Sequence, residues 1–203
     1  AKVTGLAMNR VASRLNRISG EIEEVKYTRQ YADSAQIPYS IVKSANDPEV
    51  VEMVRDLDAD FLLASSFNQI LDAPMLRTPR MGAINIHLSL LPKYRGPAPA
   101  FWALYHGESD TGVTFHHMNI GIDDGDVIAE RTLSIDNTWN ELDLTNALFK
   151  LASRHVGDVL DEAAAGGGIG WHQDEAAASY FTFPTPAQRR ELSTARTKFR
   201  AST

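Results

Sequence analysis

One stretch constrains the fold more than any other: Met81-Gly82-Ala83-Ile84-Asn85-Ile86-His87-Leu88-Ser89-Leu90-Leu91-Pro92-Lys93-Tyr94-Arg95-Gly96. An apolar run over residues 81–86 delivers an amide and an imidazole two residues apart, and the chain then breaks into Pro, Lys, Arg and Gly. Side chains at i and i+2 of a strand share a face, so Asn85 and His87 project together from the C-terminal end of a buried strand. In open α/β sheets that end is where ligands sit. The amide offers N–H donors to an oxygen gaining negative charge, and the imidazole can carry a proton near neutral pH. The pair suits acyl transfer. A lone His beside an apolar strand is more often a hydrogen-bonded structural residue, so the reading needs support from elsewhere in the chain.

The flanking sequence alternates between strands and helices. Residues 2–7 read as a strand, 8–20 as an arginine-bearing loop or short helix, 27–35 as a helix, and 39–42 as a short strand after Pro38. Asn46 or Asp47 can cap the next helix, Pro48 fits its first turn, and Val50, Val51, Met53, Val54 and Leu57 supply its apolar stripe. Residues 61–64 are continuously apolar, as in a strand buried on both faces; 68–71 read as a loop and 73–78 as a short helix. This βαβ succession predicts an α/β fold, a mixed and mostly parallel sheet with right-handed crossovers, flanked by helices.

Beyond Gly96, residues 100–106 carry Phe101, Trp102, Leu104 and Tyr105, a helix packed as core rather than a platform for stacking bases. Residues 112–118 read as a strand in which His116 and His117 face opposite sides, so at most one reaches a site and the two cannot easily chelate one metal. The loop over 119–126 holds Asp123, Asp124 and Asp126 around glycines; by itself it is a solvated turn. Calcium is discounted because Ser134 and Ile135 stand where a bidentate Glu is required. After a strand over 127–134, Thr138 with Glu141 forms a capping-box pattern for a helix running to about 165, where three glycines end it without the features of a phosphate loop. From Trp171 the composition turns aromatic, Pro-punctuated and then basic. This divides the chain into a catalytic domain over 1–170 and an extended arm over 171–203, suited to a substrate-side lip or a homodimer contact.

A chain of 203 residues, 43% hydrophobic, can bury a core in one domain. A net charge of −6 argues against a dominant nucleic-acid surface, and the absence of Cys excludes disulfides, thiolate metal sites and a Cys nucleophile. No metal is expected. No apolar run has the length of a membrane span and no signal-peptide pattern opens the sequence, so the expected location is cytoplasmic, without a membrane partner.

Three signals fall in one order: Asn-x-His-x-Ser-Leu-Leu-Pro-x-Tyr-Arg-Gly from Asn85, Gly112-Val113-Thr114, and Gly121-Ile122-Asp123-x-Gly125. Together, over about residues 60–179, they resemble the 10-formyltetrahydrofolate-dependent formyltransferases, the group of methionyl-tRNA, glycinamide ribonucleotide and sugar N-formyltransferases. The resemblance implies a Rossmann-like domain and a catalytic trio of Asn85, His87 and Asp123. Asn85 and a protonated His87 would stabilise the oxyanion formed when an amine attacks the formyl carbon, His87 could also relay the proton directly or through a water, and Asp123 would raise the pKa of His87 and orient it. It also implies a folate pocket lined by Asn68, Gln69, Ile70 and Leu71 and by Ile120 and Gly121 in the loop before Asp123, with Ser89, Leu90, Leu91 and Pro92 beside it. Lys93 and Arg95 could meet the folate glutamate tail or an anionic substrate, or stand simply as solvated surface cations.

Family members usually begin with a strand and helix ahead of the equivalent of residues 2–7, and the chain is expected to lack them. Methionyl-tRNA formyltransferases carry a further C-terminal β-barrel and a basic insertion, which the sequence does not match. The expected acceptor is therefore a small-molecule primary amine such as a nucleotide-linked amino sugar, with methionyl-tRNA as the alternative. A formyltetrahydrofolate hydrolase or a non-catalytic folate-binding remnant would use the same residues differently.

Overall fold

The computed structural model describes residues 5–8, 23–166 and 170–202. The chain divides into two compact units, one of residues 1–62 and 67–82 and one of residues 63–66 and 83–203.

In the first unit β1 (Gly5–Met8) pairs in parallel with β2 (Tyr39–Val42), with helices α1 (Glu23–Ser34), α2 (Pro48–Asp56) and α3 (Ala73–Leu76) around them in the chain. From residue 9 to residue 20, the expected loop or short helix lies outside the described residues. Ala32, Ala45, Val51, Leu71 and Met75 are buried here. Asp47 is the N-cap of α2 without a side-chain capping bond. Asn46 is not a cap: its amide donates to the Ile70 carbonyl at 2.8 Å and accepts from the Asp72 N–H at 3.0 Å, tying two loops together.

The second unit is built on a sheet of order β3-β4-β5-β6, with β3 at Leu62–Ser65, β4 at Ala83–His87, β5 at Asp110–His117 and β6 at Val127–Ser134. The fold is α/β with mixed pairing, and β4–β5 and β5–β6 are antiparallel. Helix α4 (Pro99–Tyr105) buries Phe101, Trp102 and Leu104, so its aromatic residues are core. Helix α5 (Glu141–Ala164) lies against β5 and β6 and buries Leu144, Leu148, Ala152 and Val159 at helical spacing. Among the described residues no helix is long and apolar enough to cross a membrane.

Two local expectations are corrected. The capping box of α5 is formed by Asn140 and Asp143, not by Thr138 and Glu141. Asn140 Oδ1 accepts from the Leu142 and Asp143 N–H groups at 2.8 and 3.0 Å, and Asp143 Oδ2 accepts from the Asn140 N–H at 2.9 Å. Thr138 instead donates its hydroxyl to Asp136 at 2.6 Å, within the turn that precedes the helix. The tail is not extended throughout, because Pro186–Ser202 forms helix α6. Thr185 and Gln188 exchange bonds at its start: Thr185 Oγ1 accepts from the Gln188 N–H at 3.3 Å and Gln188 Oε1 accepts from the Thr185 N–H at 2.8 Å, with Pro186 beginning the helix.

Between α5 and α6 the chain forms a strap over residues 171–182. Trp171 exchanges both main-chain bonds with Val127, at 2.9 and 3.0 Å. Farther on, Arg95 N donates to Ser179 O and Phe181 N donates to Arg95 O, each at 2.9 Å. The Phe181 ring stacks on Trp102 and Tyr94, with centroids 4.6 and 5.6 Å apart. This closeness requires glycine at 96: φ is +96° and a Cβ would stand 2.3 Å from the Phe181 carbonyl oxygen.

Replacing Asn140 by Ala should cost about 1 kcal/mol of stability, read as a lowered urea midpoint. Thr138→Ala should leave that midpoint nearly unchanged.

Candidate active site

The antiparallel register of β4 and β5 sets Asn85 opposite His116 and His87 opposite Thr114. Residues at i and i+2 share a face, so Asn85, His87 and His116 converge at one end of the sheet. The β5–β6 ladder is irregular beside Phe115 and His116, a local departure of the kind that re-aims a side chain next to a site. The loop after β5 then carries Asp123 back to this end.

Asp123 is the hub. Its Oδ1 accepts from Asn85 Nδ2 at 3.0 Å and its Oδ2 accepts from the Gly96 N–H at 2.8 Å. The His87 Nδ1 lies 3.5 Å from Oδ2, and the His116 Nε2 lies 3.5 Å from Oδ1. The carboxylate reaches this position because its backbone turns through φ +52°, the left-handed region that Asp tolerates better than most residues.

Hydrogen-bond directions follow from the partners. His87 Nε2 stands 2.9 Å from the Tyr94 carbonyl, which only accepts, so Nε2 carries a proton and Nδ1 is the nitrogen turned toward Asp123. His116 Nδ1 donates to the His117 carbonyl at 2.9 Å, leaving Nε2 to accept from Asn85 at 3.1 Å. Both amide hydrogens of Asn85 are thus engaged, one by Asp123 and one by His116.

Burial decides the charge on His87. With 6% of its surface exposed, desolvation pushes its pKa below the ordinary histidine value despite the nearby carboxylate. Asp123 does pull it upward, as expected, but burial outweighs that pull, and His87 is neutral at pH 7. Burial also works to lift the Asp123 pKa, but the neighbouring His116 and His87 rings and the Gly96 N–H outweigh it and hold the carboxyl at about 2. A neutral imidazole with a free Nδ1 beside an ionised carboxylate is equipped to accept a proton.

The other residues singled out in the sequence have distinct positions. Ser89 is fully buried and donates its hydroxyl to the Lys93 carbonyl at 2.8 Å, a turn-forming bond rather than a nucleophile's geometry. Leu91 is buried, with its N–H on Thr114 Oγ1 at 3.1 Å; Leu90 and Pro92 are half-buried. In the loop before Asp123, Ile120 is 74% exposed and the Gly121 N–H bonds to Asn119 Oδ1 at 2.8 Å. Asn68, Gln69, Ile70 and Leu71 belong to the first compact unit. There Gln69 bridges the Lys43 carbonyl and the Ala45 N–H at 3.0 and 3.1 Å, Leu71 is buried and Ile70 is exposed.

Arg95 is not a surface cation reaching for an anionic ligand. It is buried, and its guanidinium forks onto the Glu175 carboxylate at 2.7 and 3.0 Å and onto Gln173 Oε1 at 2.9 and 3.1 Å. Lys93 is exposed and 3.4 Å from Glu108. Two contributors were missed in the sequence. His116 had a partial signal in its alternation along β5, whereas Gln173 had none. Among the described residues no three His, Asp or Glu side chains are placed to hold a metal ion.

Comparison with known proteins places this geometry in context. A family model described as formyl transferase matches residues 21–160. The methionyl-tRNA formyltransferase of Geobacter metallireducens is 38% identical over 149 residues, 73% of this chain and 48% of that protein. The chain thus spans about half the length of the curated relatives it matches. Among solved structures, the formyltransferase PseJ from Anoxybacillus kamchatkensis, in complex with UDP-4,6-dideoxy-4-formamido-L-AltNAc and tetrahydrofolate, superimposes with a TM-score of 0.63 at 20% identity, covering 83% of this chain and 85% of that one. WlaRD, a sugar 3N-formyl transferase in the presence of dTDP and 5-N-formyl-THF, gives 0.59 at 22% identity over 76% of this chain and 52% of its own. At these identities the two structures speak for the fold.

The pKa directions give a pH prediction. Both Asp123 and His87 have folded-state values below their unfolded ones. Below the unfolded value the unfolded chain binds the extra proton, so stability is full above it and falls as pH drops. The His87 contribution should fade as pH falls below about 6.5, and that of Asp123 between about pH 4 and about 2. Urea midpoints from pH 8 to pH 2.5 should decline in both windows, and Asp123→Asn should flatten the lower one.

Proposed function

The chain belongs to the formyl transferase family, and we propose that it moves a formyl group from 10-formyltetrahydrofolate to a primary amine. The observation carrying this reading is the meeting of Asn85, His87 and Asp123 at the end of β4, with a neutral imidazole facing an ionised carboxylate. The formyl donor supplies an electrophilic carbon on folate N10. The remaining chemistry belongs to the chain.

When the amine nitrogen bonds to the formyl carbon, the carbonyl oxygen becomes an oxyanion and the nitrogen becomes positively charged, with one of its own protons to shed. His87 Nδ1 takes that proton, while Nε2 stays locked to the Tyr94 carbonyl and fixes the ring. The resulting imidazolium is stabilised by Asp123, and it returns the proton to the departing folate nitrogen as the carbon–nitrogen bond breaks. Of the two roles expected of His87, a neutral ring favours the proton relay over the protonated oxyanion donor. Asn85 donates to the oxyanion by exchanging one of its present partners. Ile120, apolar and exposed beside Gly121, suits one face of a flat heteroaromatic ring.

Two acceptors divide the support. Identity of 38% to a methionyl-tRNA formyltransferase favours the amino group of methionyl-tRNA. The net charge of −6 favours a small amine such as a nucleotide-linked amino sugar. Kinship at this level is the stronger argument, and the assay includes both.

The test is absorbance-detected formation of tetrahydrofolate from 10-formyltetrahydrofolate, with methionyl-tRNA, with a panel of amino sugars and without any amine. Amine-dependent turnover is expected; formate release without amine would mark a hydrolase, and folate binding without turnover a binding remnant. His87→Ala and Asp123→Ala should abolish transfer. Asn85→Ala should reduce turnover roughly a hundred-fold.

A further inference from the structure

Asp123 adopts a left-handed backbone, which a residue other than glycine keeps only when its surroundings hold it there. The main-chain partner at this point is a side chain from the strap. Gln173 Nε2 donates to the Asp123 carbonyl at 2.8 Å and to the Gly125 carbonyl at 2.7 Å. Its Oε1 accepts from Arg95 Nε at 3.1 Å and from an Arg95 terminal nitrogen at 2.9 Å. Two hydrogens and two lone pairs are all used, so the carboxamide is fully committed.

These bonds close a ring. The Asp123 carboxylate accepts from Gly96 N; Gly96 follows Arg95; Arg95 donates to Gln173; and Gln173 donates back to the Asp123 main chain. The backbone of Asp123 and its carboxylate are therefore located by the same short circuit. Substitutes fail for identifiable reasons. Glutamate has the shape but would turn an acceptor oxygen toward two carbonyls, and asparagine is one methylene short. Gln173 also lies outside residues 21–160, the stretch matched by the family model.

We propose that Gln173 is a positioning residue of the active site: by holding the Asp123 and Gly125 carbonyls together with Arg95, it sets the Asp123 carboxylate against His87. The strap over 171–182 is then part of the catalytic apparatus rather than an appendage. This role rests on the formyl-transfer reading of Asp123, yet the placement itself can be measured without turnover.

The experiment compares the wild-type chain with Gln173→Glu, Gln173→Met and Glu175→Gln. Gln173→Glu and Gln173→Met remove the donors, one with and one without an added charge. Glu175→Gln alters the exposed end of the Arg95 network and leaves the donors in place. The first readout is the backbone amide of Gly96, observed by NMR through its proton shift and hydrogen exchange. Loss of the donors should release it from Asp123 and speed its exchange at least about tenfold, while the Phe181 amide stays protected. Glu175→Gln should leave Gly96 unchanged. The second readout is turnover: kcat should fall about a hundred-fold in both Gln173 variants, with KM for the formyl donor unchanged.

Equal loss of Gly96 and Phe181 protection in all three variants would reduce Gln173 to a structural tie and overturn the proposal. So would wild-type behaviour of Gly96 in folded Gln173→Met. If the wild-type chain transfers no formyl group, the functional reading fails while the Gly96 comparison still decides the positioning.

Discussion

A carboxylate taken out of water must be surrounded by donors, and the placement of Asp123 shows what that requires of a chain. Its two oxygens find partners on β4 and at the Gly96 N–H just beyond it. Those partners are themselves fixed by others: Asn85 by its cross-strand neighbour His116, and Gly96 by the close approach of Phe181. The sheet register, the glycine turn and the strap all serve one charged group.

The same burial governs the imidazole. A carboxylate 3.5 Å away would ordinarily favour a charged histidine, but a ring removed from solvent loses more hydration on gaining a proton than that attraction returns. A neutral ring and an ionised acid therefore coexist. The Tyr94 carbonyl completes the arrangement by selecting which nitrogen keeps its proton.

Local spacing made much of this legible. Asn85 and His87 two residues apart at the end of an apolar run announced a strand ending in a polar site, and the alternation of elements announced the α/β class. What could not be read depends on pairing between distant segments. His116 becomes a partner of Asn85 only through the β4–β5 register, and Arg95 looked like a solvated cation because its acceptors lie about 80 residues farther on. The desolvation of His87 is likewise a property of the packed state. Two misreadings were local. The cap of α5 was placed two residues early, at Thr138 rather than Asn140, and the Thr185-to-Gln188 spacing that starts α6 went unused because prolines and aromatics drew the tail as extended.

The strap's place in the chain bears on the order of assembly. Gln173 is 50 residues beyond Asp123, and Ser179 is 85 beyond Tyr94. On a ribosome, β4, β5 and their helices emerge well before these partners do. Until residues 171–182 arrive, Asp123 has no donor for its carbonyl from Gln173 and Arg95 has no carboxylate to neutralise it. Long-range closures of this kind come late because the entropy of joining distant segments must be met before the bonds repay it. The sheet can thus be in place while the site is still incomplete, and the last segment to dock brings the chemistry into register.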